Sequence, residues 1–378
     1  MKRYLALIVL STLIQGSALV GCGGNQYPPQ RLTQSQVEDN GQTPQAEASS
    51  KDVPGSSKRI ILGFCTDAGK NSKDSIIQNI NVINEVVFFW YSFDGTGKIK
   101  RSDNVDLSLK ATTQKGGAKV LALVHNLNNK GFDQQIAHQL LSNPSARTKF
   151  INNLVNLVTN ENWDGICIDI EKTLTNDRDN YSAFISELNR SFNKSGKILN
   201  VCVPAKYQDD KNDTWSGAYD YAAIGKEADQ VVIMTYEEHG LGTTQGPIAS
   251  QGWVNRVINY TISKIPKEKV IMGLPVYAND WKSNMPLLPT GMSIPQAITL
   301  AGKQKVNILY DESQQAPHYT FTVAGVRHEV YFENNRSLNF KVNIAKKNQL
   351  SGIAIWRLGL EDPSMWKDVL KNYIQTKP

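Results

Sequence analysis

The sequence predicts an α/β fold: a (β/α)8 TIM barrel with a small α+β insertion between its seventh strand and seventh helix. Three observations predict it. About eight short apolar runs recur after Lys58, helix-like segments separate them, and no glycine-rich phosphate loop follows any run. The runs are nearly continuous rather than alternating, which is typical of parallel strands covered on both faces. Eight βα units over about 320 residues fit a closed barrel better than an open doubly wound sheet.

The predicted strands are the apolar runs, and the predicted helices are segments with apolar residues at helical spacing between them. The strands are 59–65, 85–92, 119–125, 165–170, 198–204, 230–236, 270–275 and 352–356. The clearest helices are 74–84, 133–141, 145–159, 179–192, 247–262 and 364–374.

The spacing between the seventh and eighth runs, about 75 residues, is roughly twice that of the other units. Within it, 318–323 and 326–332 have the pattern of a β-hairpin that turns near Ala324-Gly325. We therefore expect an inserted α+β subdomain at about 280–335. It would stand at the carboxyl-terminal rim of the barrel and form one wall of a cleft.

The first 57 residues have a different composition from the rest of the chain. Lys2 and Arg3 precede an apolar stretch over 4–20, which predicts a secretory signal peptide over 1–21. Leu19-Val20-Gly21-Cys22 resembles the bacterial lipobox, and this resemblance implies a diacylglyceryl group on Cys22, whose two acyl chains make a stable anchor. Plain secretion with an incidental cysteine is the alternative. Residues 22–57 are rich in Gln, Ser, Pro and Gly and predict a flexible linker, so we expect an extracytoplasmic lipoprotein with its domain over 58–378.

Charge and cysteine content narrow the class of partner. The formal net charge of +6 over 378 residues is too dilute for a nucleic-acid surface. It suits either an anionic cell-wall polymer or simple solubility. Cys65, Cys167 and Cys202 are an odd number inside apolar runs, so we expect buried free thiols. Neither they nor the five scattered histidines have the spacing of metal ligands, and we expect no metal.

The fourth predicted strand carries acidic residues on one face. Because side chains alternate along a strand, Cys167, Asp169 and Glu171 share one face and the intervening isoleucines share the other. The acidic face would point into the barrel, with Glu171 nearest the carboxyl end, where barrel enzymes place their sites. Two carboxylates so close in a low-dielectric lumen raise one pKa, which suits a general acid. The alternative is an inert, solvated strand end beside Lys172.

Segment 164–171 resembles the D-G-x-D-x-D-x-E signature of glycoside hydrolase family 18, and further stretches agree with that family in chain order. Met234-Thr-Tyr-Glu-Glu-His resembles its sixth-strand motif, 273–281 its seventh strand, and 352–359 its eighth, which ends in a tryptophan. Segment 327–337 resembles the insertion and seventh helix of the branch containing spore-cortex-lytic N-acetylglucosaminidases, often joined to LysM repeats. No such repeat is evident here.

The resemblance implies a substrate-assisted retaining mechanism without metal or organic cofactor. Glu171 would be the acid and then the base, while Asp169 would orient the substrate's 2-acetamido group and Tyr236 would donate to its oxygen. Trp356 would form the floor under the sugar.

Further residues are expected to contact substrate, and two positions depart from the family pattern. Met234, Glu237, Tyr277 and Trp90 are the expected contacts, because they lie near the carboxyl ends of predicted strands. Glu237 stands where the family has an aspartate. Cys167 stands where it has the first inner aspartate, so Asp169 must depend on other partners.

The expected substrate is a β-1,4-linked polymer that contains N-acetylglucosamine, with peptidoglycan preferred. Chitin oligomers and a catalytically weak, lectin-like barrel are the alternatives. The expected partners are this polysaccharide and, through the lipid, the membrane. We expect no nucleic acid and a monomer.

Overall fold

The computed structural model describes residues 59–66, 70–193, 195–371 and 373. The predicted signal peptide, the lipidation site Cys22 and the linker lie outside these residues. Over the described part of the chain, every helix is too short or too polar to span a bilayer.

Eight parallel strands close into a barrel, which confirms the predicted fold class. Their order around the barrel is β1-β2-β4-β7-β8-β9-β10-β16, and β16 pairs with β1 to close it. The strands are β1 (Ile60–Thr66), β2 (Glu85–Phe93), β3 (Ile99–Arg101), β4 (Lys119–His125), β5 (Leu127–Asn128), β6 (Gly131–Phe132), β7 (Gly165–Asp169), β8 (Ile198–Pro204), β9 (Gln230–Met234), β10 (Val270–Pro275), β11 (Tyr277–Lys282), β12 (Met285–Ser293), β13 (Leu309–Asp311), β14 (Ala316–Val323), β15 (Val326–Phe332) and β16 (Gly352–Trp356).

Helices surround the barrel between successive strands. They are α1 (Lys70–Asn79), α2 (Leu107–Lys115), α3 (Gln134–Leu141), α4 (Pro144–Asn160), α5 (Arg178–Phe192), α6 (Tyr221–Glu227), α7 (Gln251–Ile262), α8 (Ile294–Gln304) and α9 (Asn335–Lys347). Side chains in the preceding loops start several of them. Asp133, for example, accepts hydrogen bonds from two amides of the first turn of α3. The predicted last helix is present in part as a π-helix over Trp366–Leu370.

Strand residues alternate between two separate apolar layers. The larger layer lies between strands and helices and includes the isoleucines of β7. The smaller layer fills the barrel lumen and includes Phe64, Phe89, Cys167 and Cys202. This alternation aims the acidic face of β7 into the lumen.

The insertion is a five-stranded antiparallel sheet in the order β12-β11-β15-β14-β13, packed on α8. Tyr319 donates to the carbonyl of Ala297 in that helix at 2.7 Å. The hairpin between β14 and β15 turns through Ala324 (φ 48°) and Gly325 (φ 77°), and two left-handed residues in a row suit a tight β-hairpin. The insertion lies between β10 and α9, which places it at the carboxyl-terminal rim of the barrel.

Candidate active site

Asp169 and Glu171 lie at the carboxyl end of β7. Asp169 is 4% exposed, and its buried Oδ1 has no hydrogen-bond partner among the described residues. Glu171 is partly exposed. Asn126, fully buried at the end of β4, accepts from the Glu171 amide at 2.9 Å and donates to the Glu171 carbonyl at 2.8 Å. The backbone that carries the acid is therefore fixed from the neighbouring strand, while one carboxylate oxygen beside it is left for a ligand.

Both carboxyl groups have raised pKa values. Burial raises the pKa of Asp169. Burial also raises the pKa of Glu171 well above its usual range, and the nearby carboxylates of Asp169 and Glu237 raise it further, while the Lys172 ammonium lowers it. A carboxyl group of this kind keeps its proton near neutral pH and can act as a general acid.

Cys167 takes the inner position on the same face, and its thiol contacts Asn200 and Cys202 rather than Asp169. Its Sγ donates to Asn200 Oδ1 at 3.2 Å and lies 3.5 Å from the Sγ of Cys202. Both cysteines are buried and free, as is Cys65. The thiol therefore supplies neither a charge nor a hydrogen bond to Asp169, whose ionisation depends on burial and on Glu171.

Tyr236 follows β9 and leans over β10. A Cβ on Gly273 would stand 2.8 Å from the Tyr236 ring and 2.7 Å from the carbonyl of Ile233, so only glycine allows this approach. Thr235 fixes the turn, because its hydroxyl donates to the Gly273 carbonyl at 2.6 Å. The position of the Tyr236 ring therefore requires glycine at position 273, because any side chain there would collide with it.

Trp356 ends β16 and lies among three aromatic rings. It stacks with Tyr236 (centroids 6.2 Å apart, interplanar angle 16°) and meets Phe64 and Phe89 edge-on, at 5.3 and 6.2 Å. Its ring is partly exposed. An indole held this way at a barrel mouth is a flat apolar platform of the kind that stacks on a sugar ring.

Met234, Glu237 and Tyr277 lie at the same rim. Met234 is partly exposed at the end of β9, two positions after Val232, whose side chain lies in the lumen. Glu237 is exposed, has a left-handed backbone (φ 62°), and lies near enough to Glu171 to raise its pKa. Tyr277, at the start of β11, is 9% exposed, and its buried hydroxyl has no partner among the described residues. The structure therefore brings these three to the predicted cleft.

Trp90 does not lie in the cleft, so the expectation that it contacts substrate is corrected. It is 2% exposed and packs against Phe88 and Trp163 in the layer between barrel and helices. Its side chain shares the outer layer with Val86 and Phe88, because the side chains alternate regularly over this part of β2 and Phe89 points into the lumen. A strand that is apolar on both faces does not show from its composition which residues face the lumen, so the sequence analysis had no signal for the direction of Trp90.

His125 is a site residue that the sequence analysis did not select. It is the register partner of Asp169 on the adjacent strand, and its ring stacks on Phe89 at 4.1 Å between centroids. Burial lowers its pKa to about 3, so it is neutral. Its Nδ1 accepts from the Leu127 amide at 3.1 Å, which leaves the proton on Nε2. No described residue accepts from that N–H.

These groups together form an acid, a buried acceptor, a hydroxyl donor and an aromatic floor around one opening. Across the described residues, no His, Cys, Asp and Glu side chains are grouped so as to hold a metal ion. The arrangement can protonate a leaving oxygen while it holds a neighbouring N–H and stacks on a ring.

Several known proteins are similar to this chain in sequence and in fold. A sequence model described as Glycosyl hydrolases family 18 matches residues 60–361. The uncharacterized glycosylase YvbX of Bacillus subtilis (strain 168) is 32% identical over 317 residues, covering 82% of this chain and 91% of that protein. The spore cortex-lytic enzyme SleL of Bacillus megaterium QM B1551 superposes with a TM-score of 0.77 at 28% identity, over 86% of this chain and 77% of the other. A chitinase from Chromobacterium violaceum ATCC 12472 gives a TM-score of 0.79 at 25% identity, over 84% and 100%.

Proposed function

The chain belongs to glycosyl hydrolases family 18 and is a glycosidase, and we propose that it cleaves β-1,4-linked polymers containing N-acetylglucosamine, with peptidoglycan as substrate. The observation that carries this proposal is the buried, unpartnered Oδ1 of Asp169 beside Glu171. A buried acceptor without a donor is costly, and a substrate N–H would satisfy it. An acetamido group next to the cleaved bond provides that N–H.

The reaction is a substrate-assisted retaining hydrolysis, which distinguishes it from the two-carboxylate scheme. Glu171 gives its proton to the glycosidic oxygen as the acetamido oxygen attacks the anomeric carbon. The bond to the leaving sugar breaks, and an oxazolinium ion forms. Asp169 accepts from the acetamido N–H and stabilises the positive charge, while Tyr236 donates to the acetamido oxygen. Glu171 then takes a proton from water as the water attacks the anomeric carbon and opens the oxazolinium ring. The configuration at the anomeric carbon is retained overall.

Peptidoglycan is preferred over chitin because of the relatives. SleL is described as a spore cortex-lytic enzyme, and it is 28% identical over 86% of this chain. Chitin oligomers are the second candidate, supported by the likeness to a chitinase over that protein's whole length. A lectin-like barrel is disfavoured, because Glu171 and Asp169 are both present with raised pKa values.

The proposal includes an extracytoplasmic location, with the chain held to the membrane as a monomer by a lipid on Cys22. The support is the lipobox-like sequence before that cysteine. The wild-type protein should incorporate radiolabelled palmitate, and the Cys22→Ser variant should not. Absence of label from the wild type would refute the lipid anchor.

The test of the activity compares the detergent-solubilised full chain with its Glu171→Gln variant on purified peptidoglycan and on chitin oligomers. Borohydride reduction of the products then identifies the sugar at each new reducing end. We expect reducing N-acetylglucosamine from the wild type and at least a 100-fold lower rate from the variant. Glu268→Gln, an exposed carboxyl at the opposite end of the barrel, is the matched control. Absence of cleavage of both polymers by the wild type would refute the enzyme proposal.

A further inference from the structure

Lys172, the residue after the acid, has a backbone that the fold holds in an unfavourable conformation. Its φ is 53°, in the left-handed region that lysine rarely adopts. The chain is fixed on both sides of it. Asn126 holds the amide and carbonyl of Glu171, and the Tyr219 hydroxyl donates to the carbonyl just before Glu171 at 2.8 Å and lies 3.3 Å from the Thr173 hydroxyl. The backbone that carries Lys172 is therefore held in one position directly after the catalytic acid.

The ammonium group of Lys172 is not bonded to another group in the described part of the protein. Its side chain is partly exposed, and it has no hydrogen-bond or ion-pair partner among the described residues. Other cations that follow barrel strands are committed. Lys206 and Arg178 both bind Asp209, and Arg357 donates to a hydroxyl at the end of β1. Lys172 does lie close enough to Glu171 to act on its carboxyl electrostatically. A partly exposed ammonium group without a bonded partner among the described residues therefore lies near the Glu171 carboxyl.

The chemistry of the leaving sugar indicates what this ammonium group meets. Glu171 protonates the oxygen on C4 of that sugar, so the sugar must lie beside Glu171. In peptidoglycan cut after N-acetylglucosamine, the leaving sugar is N-acetylmuramic acid, which carries a lactyl group on the adjacent carbon, C3. Chitin has a plain hydroxyl there. Glu171 holds its proton when substrate binds, so its charge does not repel a lactyl carboxylate.

We propose that Lys172 binds the lactyl carboxylate of a muramic acid without its stem peptide, on the leaving side of the cut bond, and so selects such peptidoglycan strands over chitin. This inference rests on the proposed function and names its substrate. A lysine ammonium suits the role, because it offers three donors on a long flexible arm and forms charge-assisted hydrogen bonds.

The test compares the full chain with its Lys172→Gln and Lys172→Arg variants on two substrates. One is peptidoglycan strands freed of stem peptides by an amidase, which carry lactyl carboxylates. The other is chitin oligomers. We expect Lys172→Gln to lower kcat/KM on the strands about 10- to 100-fold and to leave it within about 3-fold on chitin. Lys172→Arg should restore most of the loss, and the salt dependence seen with the strands should disappear in Lys172→Gln.

Other results would overturn the inference in distinguishable ways. If Lys172→Gln is slowed equally on both substrates and its alkaline limb moves to higher pH on both, Lys172 acts only through the pKa of Glu171. If the variant is unchanged on both, the lysine has no role in binding. If the wild type cleaves chitin and not the strands, the peptidoglycan proposal fails together with this inference. Thermal unfolding checks that the variants are folded.

Discussion

Replacing Asp169 by asparagine should both slow the reaction and move the alkaline limb of the pH profile of kcat/KM to lower pH. The limb reports the loss of the Glu171 proton. Burial is the largest cause of the raised Glu171 pKa, and the Asp169 carboxylate is the next. Removing that negative charge makes ionisation of Glu171 easier, so its pKa falls and the acid form is lost earlier as the pH rises.

The size of the shift follows from the strand geometry. Residues two apart on an extended strand are about 7 Å apart. Two unit charges at that distance interact by about 2.4 kcal/mol at an effective dielectric constant of about 20. This corresponds to about 1.7 pKa units. Because Asp169 and Glu171 titrate together, the shift applies to the apparent pKa of the pair, and we expect about 1 to 2 pH units.

The assay is kcat/KM for a defined N-acetylglucosamine oligomer over the range in which the enzyme stays folded. The rate of Asp169→Asn should fall about 100-fold at the optimum, because the acetamido group loses a charged acceptor. Glu237→Gln is the matched comparison. It should move the limb in the same direction but less, since Glu237 raises the Glu171 pKa less than Asp169 does. An alkaline limb of Asp169→Asn that coincides with the wild type would refute the electrostatic reasoning.

Three further predictions concern the floor, the inner position and the insertion. Trp356→Phe should raise KM about 10-fold with little change in thermal stability. Trp90→Phe should lower the free energy of unfolding in urea by about 1 to 3 kcal/mol and leave KM unchanged. The opposite pattern would mean that Trp90 contacts the substrate. Cys167→Ser should leave the free energy of unfolding nearly unchanged. Cys167→Asp should lower it by about 1 to 3 kcal/mol, because the new carboxyl would be buried against Asn200 Oδ1, which now accepts from the thiol. Equal stabilities of the two variants would contradict this. Lys341→Met should lower the free energy of unfolding by about 3 to 5 kcal/mol, since it leaves the Glu333 carboxylate buried without its ion pair. Adding Glu333→Gln should recover part of this stability. A loss below about 1 kcal/mol in urea unfolding of Lys341→Met would contradict the prediction.

The barrel strands could be predicted because each is a continuous run of apolar residues in the sequence. A parallel strand that is covered on both faces needs apolar side chains on both of them. The direction of Asp169 followed from the same alternation, which is uninterrupted in β7, and Glu171 lies two residues after that strand ends. The prediction for Trp90 was wrong because β2 is apolar on both faces, so its composition does not show which residues point into the lumen. Only the packing of the strand in the barrel decides this. His125 was missed for a related reason, since only the register between β4 and β7 places it beside Asp169.

Sequence alone determined the fold class, the strand that carries the acid and the residue types available for catalysis, because these depend on local periodicity and on motifs of adjacent residues. The tertiary structure decided which of these groups meet. Tyr236 and Trp356 are 120 positions apart in the chain and stack because β9, β10 and β16 lie side by side. The raised pKa of Glu171 and the unpartnered Oδ1 of Asp169 also arise only there, since both depend on the exclusion of water by residues distant in sequence.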